Sequence, residues 1–89
     1  MFTIETISTE TGSTYVVSGC FGALFVTRYS GHEIEGVKST IGQTVPVDEV
    51  TQTQRASGVD GRVKPAMRFV GGPWDGVITS CVTMTVEAR

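Results

Sequence analysis

Residues 66–86 read AMRFVGGPWDGVITSCVTMTV, and they predict a β-hairpin around which the rest of the chain is arranged. Three glycines and a proline fall within residues 71–76, which excludes a helix there and predicts a turn. Before the turn, residues 67–70 alternate between an apolar side and a side that carries Arg68, as a half-buried strand does. After it, residues 77–86 are mostly β-branched and contain no glycine or proline, which favours one long strand.

Alternation along residues 77–86 predicts which side chains of this long strand face the core. The predicted core face is more apolar and consists of Ile78, Val82, Met84 and Val86. The opposite face is rich in threonine, and we expect it to be more exposed to solvent. It consists of Val77, Thr79, Cys81, Thr83 and Thr85.

The single tryptophan, Trp74, occupies the tip of this hairpin, and two interpretations of it stay open. It caps the core, with its indole N–H bonded to an acceptor at the edge, or it faces outward as a contact residue. The candidate partner-binding residues are those of the tip and the aromatic and basic residues expected near it: Trp74, Pro73, Asp75, Arg68 and Tyr29.

The first third of the chain predicts an antiparallel meander. Residues 2–8 and 14–18 form a hairpin about a turn at 11–13, and residues 23–29 follow as a third strand. That strand is apolar on both faces, so we expect it to be central. Residues 32–38 are the expected fourth strand. A slip in the apolar alternation of the first strand predicts a bulge or a strand end near Thr6.

The middle of the chain carries weaker signals. Residues 45–47 are extended because a residue before proline avoids the helical region. Asp48 either caps one short helical turn or continues the chain as a strand. Residues 52–64 are expected to be exposed or mobile, and Asp60-Gly61 marks a turn into the final hairpin.

These elements predict one small all-β domain over residues 1–89, with at most one short helix. Its architecture is a meander, a partly open barrel or a two-sheet sandwich, ending in the long hairpin. Charged residues make up 18% of the chain and the net charge is −2, so no basic footprint for nucleic acid is evident. The start resembles no signal peptide and no apolar run could span a membrane, which predicts a cytoplasmic protein.

Few side chains suit catalysis or metal binding. His32 is the only histidine, and the two cysteines lack metal-ligand spacing. In a reducing cytoplasm both thiols should be free, although a Cys20–Cys81 disulfide is the alternative. Cys20 is either a small buried side chain or a nucleophile beside His32. Glu33 and Glu35 share one strand face, which we expect to be solvated. The sequence predicts no enzyme, cofactor or metal.

Two segments resemble small uncharacterised proteins encoded by phages of actinobacteria. Residues 12–17 followed by 25–28 are similar to the opening of such proteins, and GGPWDG at 71–76 is similar to a Gly-Gly-Pro-x-Asp-Gly turn that recurs in them. Together they cover roughly a quarter of the chain. The resemblance implies an accessory protein that binds and redirects a host or phage protein in the bacterial cytoplasm.

Three functions follow as expectations. The first is a non-enzymatic protein-binding module that acts on a host or phage protein. The second is a self-assembling protein that covers its strand edges by forming a homo-oligomer. The third, which the charge disfavours, is a small nucleic-acid-binding barrel that stacks bases on Tyr15, Phe25 and Tyr29.

Overall fold

A computed structural model describes residues 2–31 and 41–87, and in that part of the chain it confirms the predicted all-β class, with seven strands and no helix. Of the predicted alternatives, the two-sheet arrangement is the one formed. The strands are β1 (Phe2–Thr9), β2 (Thr14–Cys20), β3 (Ala23–Ser30), β4 (Thr44–Val47), β5 (Glu49–Ala56), β6 (Val63–Val70) and β7 (Val82–Glu87).

Five strands form an antiparallel sheet in the order β4-β3-β2-β1-β7. The hairpins β1–β2 and β2–β3 confirm the predicted meander, and β3 lies inside the sheet between β4 and β2. The strand predicted over residues 32–38 lies outside the described residues. The fourth strand of the described part is β4, which runs through the extended Val45-Pro46-Val47 segment.

The predicted irregularity of β1 is present, but it lies closer to the N-terminus than expected. The register against β2 shifts between Thr3 and Glu5, so Ile4 rather than Thr6 is the extra residue. A bulge lets two successive side chains turn toward one face. Ile4 and Glu5 accordingly both line the space between the two sheets.

The second sheet is the hairpin of β5 and β6. The chain continues as a strand after Asp48, so the helical alternative is not formed. The Asp60-Gly61 turn is present, with the Gly61 amide donating to the Ser57 carbonyl at 3.0 Å. Residues 52–64 comprise the end of β5, this turn and the start of β6; their mobility stays a prediction.

The core lies between the inner face of the five-stranded sheet and the β5–β6 hairpin. Its buried apolar residues come from both sheets and from the 71–76 turn: Ile7, Tyr15, Val17, Val26, Val45, Val47, Phe69 and Trp74. Partly buried Leu24, Val50, Met67, Val77 and Val82 pack against them.

The prediction of one long strand over residues 77–86 is wrong. Its first residues pair with β6, since the Phe69 amide donates to the Val77 carbonyl at 3.0 Å and the Thr79 amide to the Met67 carbonyl at 2.9 Å. The chain then crosses to the other sheet, where β7 pairs with β1. The stretch therefore joins the two sheets, and only its first part completes the hairpin.

The predicted sidedness of this stretch is also wrong. Thr79 and Cys81 are each 1% exposed, whereas Met84 and Val86 are 57% and 51% exposed. Ile78 is exposed as well, and only Val82 of the predicted core face packs on the core. The Thr79 hydroxyl can be buried because it donates to the Ser80 carbonyl at 2.8 Å and accepts from the Met67 amide at 3.0 Å.

Candidate partner-binding surface

The 71–76 turn folds inward, which decides between the two interpretations of Trp74. Its side chain is 0% exposed, and its ring centroid lies 6.1 Å from that of Phe69. The core interpretation is therefore right, and Trp74 is not available as a surface contact. The edge acceptor expected for its indole N–H is missing, because Nε1 is buried without a hydrogen-bond partner among the described residues.

Close packing explains why the turn needs its glycines. Gly71 and Gly72 both have positive φ angles, 82° and 73°. A Cβ on Gly71 would overlap the Asp48 carboxylate, and one on Gly72 would overlap the Pro46 carbonyl oxygen. Asp75 holds the turn from within, since its Oδ1 accepts from the Gly71 amide at 2.8 Å. The GGPWDG segment therefore has a structural role, because it packs closely against the junction of β4 and β5.

The remaining candidate residues are all exposed, but Tyr29 does not adjoin the turn. Pro73 and Asp75 are exposed in the turn and Arg68 is exposed on β6. Tyr29 is exposed near the end of β3, four residues beyond Phe25, which pairs with Pro46 beneath the turn. At about 3.4 Å per residue, Tyr29 is on the order of 13 Å along the strand from that pair.

The predicted base-stacking face cannot include Tyr15, although Phe25 is half-buried and Tyr29 is exposed. Tyr15 is buried and packs edge-on against Phe69, with ring centroids 5.3 Å apart. Arg28 is also buried, and its guanidinium lies 5.9 Å from the centroid of the Tyr15 ring. Both side chains lie inside the sandwich, so neither can contribute to a basic aromatic surface.

The side chains considered for catalysis are scattered or undescribed. Cys20 and Cys81 are both free thiols, and Cys81 is buried with its sulfur 3.5 Å from the Arg55 carbonyl oxygen. His32 and Glu33 with Glu35 lie outside the described residues. Within residues 2–31 and 41–87, no three His, Cys, Asp or Glu side chains come together in a way that could hold a metal.

What the sequence did not reveal is which strand forms an open sheet edge in the described part of the chain. β7 forms one edge of the five-stranded sheet, and residues 82–86 carry neither charge nor proline. The opposite edge is β4, which is only four residues long and contains Pro46. Short strands, prolines and charges are the usual protection of an edge. In the five-stranded sheet, β7 is therefore the edge best suited to accept a further strand.

A groove runs beside β7 between the two sheets, and we call it the inter-sheet groove. Its wider opening holds about 390 Å³ and is lined by residues of β1, β5, β6 and β7. Pro65, Met67 and Gln52 of the hairpin face β7 across it. A second, smaller cavity of about 210 Å³ shares Met67 and Glu5 with the lining of the first.

Two carboxylates lie at one end of this groove. Glu5 and Glu87 are paired in the register of β1 and β7, and both line the wider opening. Burial raises the pKa of the Glu5 carboxyl, and the negative charge of Glu87 raises it further. Like charges directly opposite each other on neighbouring strands are destabilising. The groove therefore has an acidic end next to an apolar wall.

A second exposed feature is the tip of the β2–β3 hairpin. Phe21 is fully exposed and has a φ of 49°, which is costly for a residue with a Cβ. Such two-residue turns ordinarily use Asn, Asp or Gly. The sequence carries a signal for this turn, since Phe21-Gly22 lies between two strand-forming segments.

The fold and the groove define a small two-sheet antiparallel β-sandwich in which β7 pairs on one side only among the described residues. A comparison with protein-family models finds no match to the chain, and comparisons with curated proteins and with solved structures find none either. Among the described residues there is no helix with the length and apolarity needed to cross a membrane.

Proposed function

We propose that the chain is a non-enzymatic protein-binding module that accepts an extended segment of a partner protein as an additional strand along β7. In this mode the main chain of the partner supplies hydrogen bonds, and alternate side chains supply specificity. The observation that carries the proposal is the position of β7, an edge strand that carries no charge over residues 82–86 and borders the inter-sheet groove.

The groove supports this mode because of where it lies. A strand added beyond β7 runs about 4.8 Å from it, and every second side chain of that strand points toward the hairpin. There the apolar wall of Pro65 and Met67 is available. On the opposite face the added strand would lie beside Val86, whose exposed apolar surface it would cover. Met84 is also exposed, and it lines the groove.

Charged substitutions on β7 test the proposal. The wild-type chain is used to select binders from a displayed library of random linear peptides. We expect peptides that bind the wild type and fail to bind the M84K/V86K variant, because lysines on an edge oppose strand pairing. The matched control is V59K/V63K, which places two lysines on still more exposed valines at the far end of the β5–β6 hairpin.

Hydrogen exchange locates the bound peptide. Strand addition should slow the exchange of outward-facing β7 amides in the complex. The proposal is wrong if no peptide is enriched, if the M84K/V86K variant binds as well as the wild type, or if protection falls on strands other than β7.

Self-assembly is the second candidate, and the outer face of the five-stranded sheet favours it. A row of residues in register crosses all five strands without a charge: Thr44, Thr27, Val16, Thr6 and Val86. Pairing of β7 with β7 of a second copy would extend this uncharged face. Light scattering of a concentrated sample tests self-assembly. A wild-type dimer that the M84K/V86K substitutions convert to a monomer supports self-assembly, and a monomeric wild type excludes it.

The proposal also includes the origin of the partner and the cellular location. The resemblance to phage proteins implies a partner of host or phage origin in the bacterial cytoplasm. The buried Tyr15 and Arg28 argue against the nucleic-acid alternative.

A further inference from the structure

The acidic end of the inter-sheet groove bears on what kind of segment β7 accepts. Glu5 and Glu87 face each other in register, and both carboxylates open into the groove. The ion pair found in the described residues, Lys64 with Asp60 at 3.0 Å, involves the hairpin turn and neither of these acids. A cation brought by a bound partner would therefore relieve an existing repulsion.

Apolar surface adjoins this acidic end. Met67 and Pro65 line the same opening as the two acids. Side chains two residues apart on an extended segment point to the same side, at a spacing of about 7 Å. One segment can therefore place an apolar side chain against Met67 and a long cationic side chain near Glu87 and Glu5.

We infer that the occupant of the groove is an extended segment of another protein in which a Lys or Arg stands two residues from an apolar residue, with the cation seated at Glu5 and Glu87. This inference rests on the proposed strand addition and adds the chemistry of the partner. A second copy of the chain fits less well through β7, because residues 82–87 contain no Lys or Arg to offer.

Three blocked peptides of the form Thr-Val-Thr-Val-Thr-X-Thr test the inference, with X as Lys, Gln or Glu. Each is titrated into the ¹⁵N-labelled full chain, and the shifts of β7 amides report binding. We expect the Lys peptide to bind about three- to fivefold more tightly than the Gln peptide at low salt, and the Glu peptide to be the weakest. The preference should shrink as salt is added, since part of it is exposed to screening.

Two protein variants locate the preference. E87Q and the double variant E5Q/E87Q should bind the Lys and Gln peptides alike. E49Q is the matched control, because Glu49 is an exposed acid on β5 outside the groove lining, and it should keep the preference. Native tryptophan emission from the buried Trp74 verifies that each variant is folded.

The outcomes separate the inference from the function on which it rests. Equal binding of the Lys and Gln peptides with shifts at β7, or loss of the preference in E49Q, overturns the inference and leaves strand addition standing. Failure of all three peptides to shift any β7 amide overturns both. A Lys preference that disappears only when Glu5 or Glu87 is changed supports the inference.

Discussion

The Ser57 hydroxyl donates a 2.7 Å hydrogen bond to Oε2 of Glu10, and the Gly58 amide donates to Oε1 of the same carboxylate at 2.9 Å. Glu10 follows β1 in the five-stranded sheet, whereas Ser57 and Gly58 open the turn of the β5–β6 hairpin. One carboxylate thus joins the two sheets at this end of the sandwich. The acidic end of the groove lies at the other end of the β1–β7 pairing, which begins at Glu5 and Glu87.

The Glu10 carboxylate should make the free energy of unfolding depend on pH in the acidic range. The hydrogen bonds from Ser57 and Gly58 lower the pKa of Glu10 in the folded state. Its contribution is therefore present above the ordinary pKa of a glutamate and is lost as pH falls through the lower folded-state value. We expect E10Q to be less stable than the wild type at neutral pH. It should also lose less stability on acidification.

Urea unfolding followed by the emission of Trp74, from neutral to acidic pH, checks this prediction. The pKa of Asp60 is also lowered, by bonds from Arg62 and Lys64, so E10Q should flatten the pH dependence without abolishing it. An unchanged pH dependence in E10Q would contradict the role of the hydrogen bonds that Glu10 accepts from Ser57 and Gly58.

Replacing Gly72 by alanine should destabilise the protein more than the same change at Gly76. Both glycines lie in one turn with similar φ angles, 73° and 83°, so both variants incur the left-handed backbone cost of about 1–2 kcal/mol. Only at Gly72 would the new Cβ overlap the Pro46 carbonyl, whereas nothing lies within 4 Å at Gly76. We expect G72A to lose about 3 kcal/mol or more in total. Equal losses by urea denaturation would refute the close packing of the turn.

Truncating Trp74 should be the most destabilising of these changes. The side chain is fully buried against Phe69 and a core drawn from both sheets. W74A should lose about 3–5 kcal/mol of unfolding free energy. W74F should lose much less, because the N–H that it removes has no partner among the described residues. Thermal unfolding by circular dichroism measures both variants; similar losses would mean that the indole nitrogen has an essential partner.

Phe21 should be a position at which a substitution stabilises the fold. Asparagine tolerates the left-handed conformation that Phe21 adopts, and the exposed ring contributes no burial that would be lost. We expect F21N to gain about 1 kcal/mol. F21A, which removes the ring and keeps a costly Cβ, should gain little. If F21N is less stable than the wild type in thermal unfolding, the hairpin tip does not have this geometry.

Local chemistry accounts for the parts of the fold that were predictable. Turns form at 11–13, 60–61 and 71–76 because glycines there adopt positive φ angles. Alternation correctly placed Met67 and Phe69 on the core face of β6. This is possible because consecutive side chains of a strand point to opposite faces of the sheet, whichever sheet the strand joins. The candidate site was not predictable in the same way, because an edge exists only once strands have an order.

The sequence alone determined that this protein is made of antiparallel strands. Its β-branched runs favour strands and its glycines favour turns, and both preferences depend only on residues close together in the sequence. Only the tertiary structure decided that Trp74 lies inside, that Thr79 is buried while Met84 is not, and that residues 77–87 pass from one sheet to the other. Period two tells which side chains share a face, but which face is covered depends on the strand that lies opposite. That strand comes from a distant part of the chain.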